Sequence, residues 1–287
     1  MHLREPGWLH ANERKRAKIV SPRIPTRAIV LAASLSLTGC GTPSSRIDEY
    51  SAAHGYEKRI LRGTEFSHVS YFKQGNADGS LHVYVEHDGT PWTTTTRPAA
   101  DPTPHVPLML EQMRQDAAPV LYLGRPCYFG TADVAPCGPA WWTHRRFSPE
   151  VVDSMSVALI QFLSSHTQFR TVELIGYSGG GNIAALMAER LPQATRLVTV
   201  AAPLDLDAWT TLHGYTPMEG SLNPVNEVAA LAGMSQLHVA GSRDAVVPPE
   251  IVRSFADRSP TAEYMVIEGF DHYCCWGRIW RQVILRQ

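Results

Sequence analysis

From residue 57 onward, short apolar runs alternate along the chain with longer stretches of helical periodicity. The first three runs, at 57–61, 66–73 and 81–86, have the length of strands, and the first two are expected to be antiparallel. Further strands are predicted at 120–123, 172–176, 197–201, 237–240 and 264–267. Helices are predicted at 107–118, 148–166, 179–191, 248–258 and after residue 275. This alternation predicts an α/β fold with a mainly parallel sheet covered by helices on both faces.

The length of the chain bounds the number of domains. Its 287 residues allow one large α/β domain with a full core, which we place at 57–287, and are too few for two such domains. About thirty residues separate the predicted strand ending at 201 from the next one. We expect 204–234, with Trp209, His213 and Tyr215, to form a short cap rather than a separate lid domain.

Basic charge is concentrated in residues 1–39, which contain seven basic and two acidic side chains. The uncharged run AIVLAASLSL at 28–37 follows this basic stretch and leads into LTGC at 37–40. Ten residues span about 15 Å as a helix, half of a bilayer core, so the layout is that of a signal peptide. The LTGC ending resembles the lipobox of bacterial lipoproteins. An ordinary signal peptide with a chance cysteine is the alternative.

The lipobox resemblance implies that 1–39 are removed and that Cys40 is lipidated, which would attach the protein to a membrane. Residues 40–56, which begin with GTPSS after Cys40, are expected to act as a tether. By the same resemblance, Gly41 stands where an aspartate would retain such a protein in the inner membrane. The expected location is therefore the bacterial outer membrane, facing the periplasm.

Four further cysteines are expected to form disulfides, because an exported protein enters an oxidising compartment. Cys127 and Cys137 flank a loop containing proline and glycine, and we predict that they pair with each other. Cys274 and Cys275 are adjacent, so they either form a vicinal bridge or pair elsewhere, including with Cys127 or Cys137. The spacings do not match a zinc site, and no metal is expected.

A candidate nucleophile lies in a G-x-S-x-G motif. Gly176-Tyr177-Ser178-Gly179-Gly180 follows the predicted strand VELIG and precedes a predicted helix. A sharp strand-to-helix turn of this kind exposes the serine above the sheet edge. It also places N–H groups near a helix N-terminus, where a developing oxyanion is favoured. We therefore predict Ser178 as the nucleophile and the N–H of Gly179 as one oxyanion donor.

An acid and a base follow the serine at the ends of two later strands. Asp244 lies in GSRDAVVP, after the strand LHVA, and His272 follows the strand YMVIE. The order serine, aspartate, histidine and the GSRDAVVP string are similar to the α/β-hydrolase superfamily, over nearly all of 57–287. The resemblance implies that Ser178 attacks a carbonyl, His272 moves the proton and Asp244 orients the imidazole. Asp271, beside His272, is the less favoured candidate for the acid.

The second oxyanion donor is expected from the loop after the third strand. His87-Asp88-Gly89 resembles the His-Gly loop of the superfamily, although Asp88 replaces its first glycine. We predict the N–H of Gly89 as the donor, with Asp88 and Thr90 as alternatives. A tight turn with no catalytic role is the other interpretation.

The same residues limit the range of functions. A net charge of −1 argues against a nucleic-acid partner, and neither a dinucleotide fingerprint nor a phosphate loop is present, so no cofactor is expected. The favoured function is a serine hydrolase that cleaves carboxylic esters, including lipid esters, through an acyl-enzyme. A peptidase, an acyltransferase or a non-catalytic binding lipoprotein are the alternatives, because one triad or scaffold serves several functions.

Overall fold

The computed structural model of the protein describes residues 41–75 and 79–286. The predicted signal peptide at 1–39 and the lipidation site Cys40 lie outside these residues, so both stay predictions. The helices are α1 (Pro43–Ala53), α2 (Leu108–Gln112), α3 (Pro149–Ser165), α4 (Gly179–Ala188), α5 (Leu206–His213), α6 (Pro249–Ala256) and α7 (Trp280–Leu285). The strands are β1 (Glu57–Arg62), β2 (Ser67–Lys73), β3 (Ser80–Val85), β4 (Trp92–Thr94), β5 (Arg97–Pro98), β6 (Val120–Leu123), β7 (Thr171–Tyr177), β8 (Ala194–Val200), β9 (Ser235–Gly241) and β10 (Ala262–Ile267).

Eight strands form one twisted layer in the order β1-β2-β6-β3-β7-β8-β9-β10. The strands from β6 to β10 in this order pair parallel, and only β1 and β2 are antiparallel to their neighbours. Every residue of β6 is buried, as are the last five of β8. Successive side chains of a strand point to opposite faces, so both faces of the sheet are covered. The predicted α/β architecture is confirmed.

The structure differs from the predicted tether at 40–56. Residues 43–53 form helix α1, in which the Thr42 hydroxyl caps the first turn and Ile47 is buried. Asp48 of this helix accepts hydrogen bonds from the Tyr71 hydroxyl of β2 and from Lys58 Nζ of β1, each at 2.7 Å. The cap and these contacts fold the segment onto the sheet edge. The leading GTPSS therefore starts a helix rather than a flexible linker.

Two further elements differ from their predictions. The helix predicted at 107–118 is only the five-residue α2, which tightens into a 3₁₀ turn at Met113–Gln115. Strands β4 and β5 form a separate two-stranded sheet that the sequence analysis did not predict, since segments of three and two residues carry no periodicity. Among the described residues, none of the helices is both long and apolar enough to span a bilayer.

A partly buried polar cluster lies near the amino ends of the parallel strands. His82 of β3 donates from Nδ1 to Asp116 Oδ2 at 2.6 Å, and its Nε2 lies 3.6 Å from Glu173 Oε1. The Tyr84 hydroxyl also donates to Asp116 Oδ2, and Arg196 Nη1 donates to Glu173 Oε2 at 2.8 Å. Burial alone would lower the pKa of His82, but hydrogen bonds to the Asp116 and Glu173 carboxylates outweigh it and raise this pKa to about 9.

The raised pKa of His82 predicts a pH dependence of stability. A histidine with pKa 6.5 in the unfolded chain and about 9 in the folded one stabilises the fold fully below pH 6.5. That contribution, on the order of 3 kcal/mol, is lost as the pH rises through 9. We expect the difference in unfolding free energy between wild type and His82→Gln, measured by urea titration, to shrink from pH 6 to pH 9.5.

The test rests on the difference in unfolding free energy between wild type and His82→Gln. The pH dependence of either protein alone does not suffice, because a second group makes stability fall with pH in the same direction. Burial raises the pKa of Glu86 to about 8, so its folded form also holds a proton that the unfolded chain releases above pH 4.5. That slope is common to wild type and variant and cancels between them. A difference that stays constant between pH 6 and 9.5 would contradict the assignment to His82.

Candidate active site

The predicted nucleophile lies at a sharp turn between β7 and α4. Ser178 has φ 52° and ψ −127°, a backbone conformation that residues with a side chain rarely adopt. The turn is possible because its neighbours lack side chains: a Cβ on Gly176 would overlap the carbonyl of Gly180, and one on Gly180 would overlap that of Val85. The serine side chain is half-buried, above the carboxyl end of the strand. Its hydroxyl is therefore accessible while its position is fixed.

The structure brings the three predicted catalytic side chains into one chain of hydrogen bonds. Ser178 Oγ lies 3.1 Å from His272 Nε2, and His272 Nδ1 lies 2.8 Å from Asp244 Oδ2. Asp244 and His272 are 3% and 5% exposed, so water does not compete for their bond. The other oxygen of Asp244 accepts the N–H groups of Val246 and Val247, at 2.8 and 2.7 Å. These bonds orient the carboxylate toward the imidazole.

The loop carrying His272 is also held through its main chain. The His272 carbonyl accepts hydrogen bonds from the Tyr177 hydroxyl at 2.6 Å and from Trp276 Nε1 at 3.0 Å. Tyr177 is the residue before Ser178, so the base is linked directly to the turn that carries the nucleophile. Neither contact was anticipated from the sequence, because the donors are aromatic side chains with no distinguishing spacing.

Asp271, the alternative acid, has a different role in the structure. Its Oδ1 accepts the N–H groups of Tyr273 and Cys274, at 2.9 and 2.7 Å. These backbone hydrogen bonds, with that of Cys274 the stronger, hold the pKa of Asp271 below its ordinary value. The carboxylate thus closes a turn after the histidine, while Asp244 contacts the imidazole.

The N–H of Gly89 does not point to an open position. Gly89 has φ +65° and donates to His87 Nδ1 at 2.9 Å, while Thr90 donates to the Pro102 carbonyl. Within the part of the chain that the structure describes, the N–H groups of Asp88 and Gly179 have no acceptor. The Gly89 N–H is already engaged by the ring of His87, so the structure does not support the choice of Gly89. Of the three candidates in this loop, Gly89 and its alternatives Asp88 and Thr90, it is Asp88 whose backbone N–H has no acceptor among the described residues.

Side chains around this loop form an ionic cluster that the sequence analysis did not identify. The Asp88 carboxylate pairs with Arg125 through Oδ1 and with Arg146 Nε through Oδ2, the latter at 3.1 Å. Both arginines are buried, at 2% and 7% exposed. They come from separate loops, after β6 and before α3, so no local motif marks them.

The four cysteines of the domain form two disulfides, Cys127–Cys137 and Cys274–Cys275. The first closes a loop beside the candidate site, where the Tyr128 hydroxyl donates to the Asp88 carbonyl at 2.8 Å. The second is a vicinal bridge in the loop that carries His272. The cross-link between these two regions, which the sequence left open, is therefore not formed.

The segment predicted as a cap packs against the loop that carries the acid. It contains α5 and two 3₁₀ turns, Pro224–Asn226 and Val228–Leu231. Trp209 Nε1 and His213 Nε2 both donate to the Val246 carbonyl, at 2.7 and 2.9 Å. Tyr215, which stacks on His213, is 55% exposed. The cap thus supports the acid loop from the side and presents aromatic surface to solvent.

Comparison with known proteins finds likeness at the level of three-dimensional structure. No family model matches the sequence, and no curated protein does either. An esterase from Pyrococcus furiosus matches with a TM-score of 0.57 and 13% identity, over 87% of this chain and 95% of its own. A Xanthomonas campestris α/β serine hydrolase without a lid matches with a TM-score of 0.51 and 13% identity, over 80% of this chain and 94% of its own.

A puromycin-hydrolyzing peptidase from Mycobacterium tuberculosis matches with a TM-score of 0.55 and 16% identity, over 79% of this chain and 37% of its own. At these identities the likeness concerns the fold. On these grounds, the described domain has the α/β-hydrolase fold.

Proposed function

We propose that this domain is a serine hydrolase that cleaves carboxylic esters through an acyl-enzyme. The observation that supports the proposal most directly is the hydrogen-bonded order Ser178, His272, Asp244, at 3.1 and 2.8 Å. A serine hydroxyl is a weak nucleophile until an adjacent base removes its proton, and the imidazole is within reach to do so. The non-catalytic alternative gives no reason for this arrangement at a strained turn.

The first half of the proposed reaction forms the acyl-enzyme. Ser178 Oγ attacks the ester carbonyl carbon while its proton moves to His272 Nε2, and the carbonyl electron pair moves onto oxygen. The N–H groups of Gly179 and Asp88 are the donors we assign to that oxyanion. When the intermediate collapses, the carbon–oxygen bond to the alcohol breaks, and His272 returns the proton to the departing oxygen.

The second half repeats the sequence with water. His272 accepts a proton from water as the water oxygen attacks the acyl carbon, and Ser178 then leaves as the restored hydroxyl with that proton. The Asp244 carboxylate keeps the hydrogen of the neutral His272 imidazole on Nδ1, so Nε2 is free to accept a proton. The same carboxylate stabilises the imidazolium that forms in each half of the reaction. The products are a carboxylic acid and an alcohol, and no cofactor takes part.

Labelling and turnover together test this proposal. A fluorophosphonate probe should label the full-length protein on Ser178, identified by peptide mass spectrometry, and labelling should require the native fold. A series of nitrophenyl esters of increasing acyl length, with matched anilides, then separates ester from amide hydrolysis. We expect turnover of esters to exceed that of the matched anilides. A labelled protein that hydrolyses only anilides would favour the peptidase alternative, the activity of the structural neighbour from Mycobacterium tuberculosis.

A further inference from the structure

The Asp88 side chain lies between the two N–H donors assigned to the oxyanion. Its own N–H is one of them, and its carboxylate packs so closely on Gly179 that a Cβ there would overlap Asp88 Oδ1 and Cγ. The side chain of one donor residue therefore contacts the main chain of the other. This contact couples the position of the carboxylate to the main chain of Gly179.

The carboxylate itself is held by two guanidinium groups, one on each oxygen. Arg125 contacts Oδ1 and Arg146 Nε lies 3.1 Å from Oδ2, while Arg125 Nη2 donates to the Arg146 carbonyl at 3.1 Å. The aromatic rings of Tyr128 and Phe147 lie 5.3 and 5.4 Å from the Arg125 guanidinium carbon. Each of the groups that hold Asp88 is thus itself fixed by packing.

The remaining polar atoms of Asp88 are also engaged. Its carbonyl accepts the Tyr128 hydroxyl at 2.8 Å, from the loop closed by the Cys127–Cys137 bridge. Burial alone would raise the pKa of Asp88, but the charges of Arg146 and Arg125 outweigh it and hold this pKa below its ordinary value. The residue is therefore an ionised, fully held group whose one free polar atom is the amide assigned to the oxyanion.

A buried ionic cluster of this kind is weak evidence for a contribution to stability. Removing one carboxylate and two guanidinium groups from water is costly, and apolar side chains of similar volume are often at least as stable. The cluster has a net charge of +1 beside the position where the oxyanion develops, and fixed charges of this kind favour the transition state.

We propose that the Asp88 carboxylate, held by Arg125 and Arg146, is a positioning group that sets the separation of the Asp88 and Gly179 N–H donors. This inference rests on the proposed function and extends it to residues outside the triad. It accounts for an aspartate in a loop where the superfamily resemblance led us to expect glycine. The two arginines act on the reaction through Asp88 and do not touch the substrate.

The variant Asp88→Asn tests this role, because it keeps the backbone N–H and the side-chain shape and removes the charge. We expect kcat for a nitrophenyl ester to fall by about 10- to 100-fold, with KM nearly unchanged, since the donors act on the oxyanion and not on the bound ester. The rate of fluorophosphonate labelling should fall by a similar factor, while the final extent of labelling stays complete.

Glu173→Gln is the matched control. It removes a half-buried carboxylate that pairs with Arg196 at 2.8 Å, near the amino ends of the strands and away from Ser178. We expect a comparable loss of Tm and an unchanged kcat. Should Asp88→Asn lower kcat no more than this control does, the positioning role is wrong.

A second variant covers the case in which Asp88→Asn does not fold. Arg146→Gln leaves Asp88 and Arg125 in place and removes one contact, so a smaller decrease in kcat at unchanged KM is expected. Wild-type kcat in folded Arg146→Gln would overturn the proposal.

Wild-type protein that neither reacts with the fluorophosphonate nor hydrolyses esters would overturn the proposed function and this inference together. Labelling and turnover that are insensitive to both variants would overturn this inference alone.

Discussion

Ser178→Ala is expected to lower hydrolysis of a nitrophenyl ester by about 10³-fold or more. In the proposed mechanism the hydroxyl oxygen of Ser178 forms the acyl-enzyme, and no other described side chain shares its hydrogen bond to His272. Alanine adopts the same backbone angles no less readily than serine, and the half-buried side chain leaves no core cavity. Turnover of the purified variant under saturating ester measures the loss.

The fold of Ser178→Ala should be unchanged, which near- and far-ultraviolet circular dichroism will show. Fluorophosphonate labelling should disappear with turnover, because both need the same oxygen. A natively folded variant that retains wild-type hydrolysis would remove Ser178 from the mechanism. The matched substitution Ser165→Ala, at the exposed end of α3, controls for the loss of a serine elsewhere.

Asp244→Asn is expected to reduce kcat by about 10⁴-fold, close to the effect of the same change in other triads. The N–H groups of Val246 and Val247 hold Oδ1, so an asparagine would keep its oxygen there and turn its NH₂ toward His272. Nδ1 would then have to accept a hydrogen bond, which places the imidazole proton on Nε2. In that tautomer His272 cannot remove the proton of Ser178.

Asp271→Asn provides the matched control for that change. An amide oxygen at this position still accepts the N–H groups of Tyr273 and Cys274, so the turn after His272 is kept. We expect kcat to change less than about threefold. A backbone N–H bonds to a neutral amide oxygen only modestly more weakly than to a carboxylate oxygen, so the turn is kept. Steady-state kinetics of the two variants at one pH compares them, and the opposite ranking would reassign the acid to Asp271.

The spacing of motifs predicted the positions of Ser178, Asp244 and His272 because each follows a strand that the apolar pattern reveals. Parallel strands end at the same edge of a sheet, so residues just after β7, β9 and β10 must lie near one another. The order of the strands in the sheet did not follow from the pattern, since pairing depends on contacts between distant segments.

The errors lie where side chains or backbone turns act over short distances. The leading GTPSS was interpreted by composition as a linker, but Thr42 caps a helix whose Asp48 and Ile47 bind the sheet edge. Gly89 was chosen by its position in a motif, but its N–H donates to the His87 ring. The pairing of Asp88 with two arginines joins three loops, and no local pattern predicts such a contact.

The backbone of Ser178 bears on how this domain can be engineered. At φ 52° and ψ −127°, a residue with a side chain stores about 1–3 kcal/mol of strain, whereas glycine adopts these angles at little cost. Glycine at this position would remove the nucleophile and relieve the strain in one step, so the active serine keeps a local strain that an inactivating substitution removes. We therefore expect libraries screened for heat resistance alone to retain variants that have lost the serine. Each round of such a screen needs an activity assay as well.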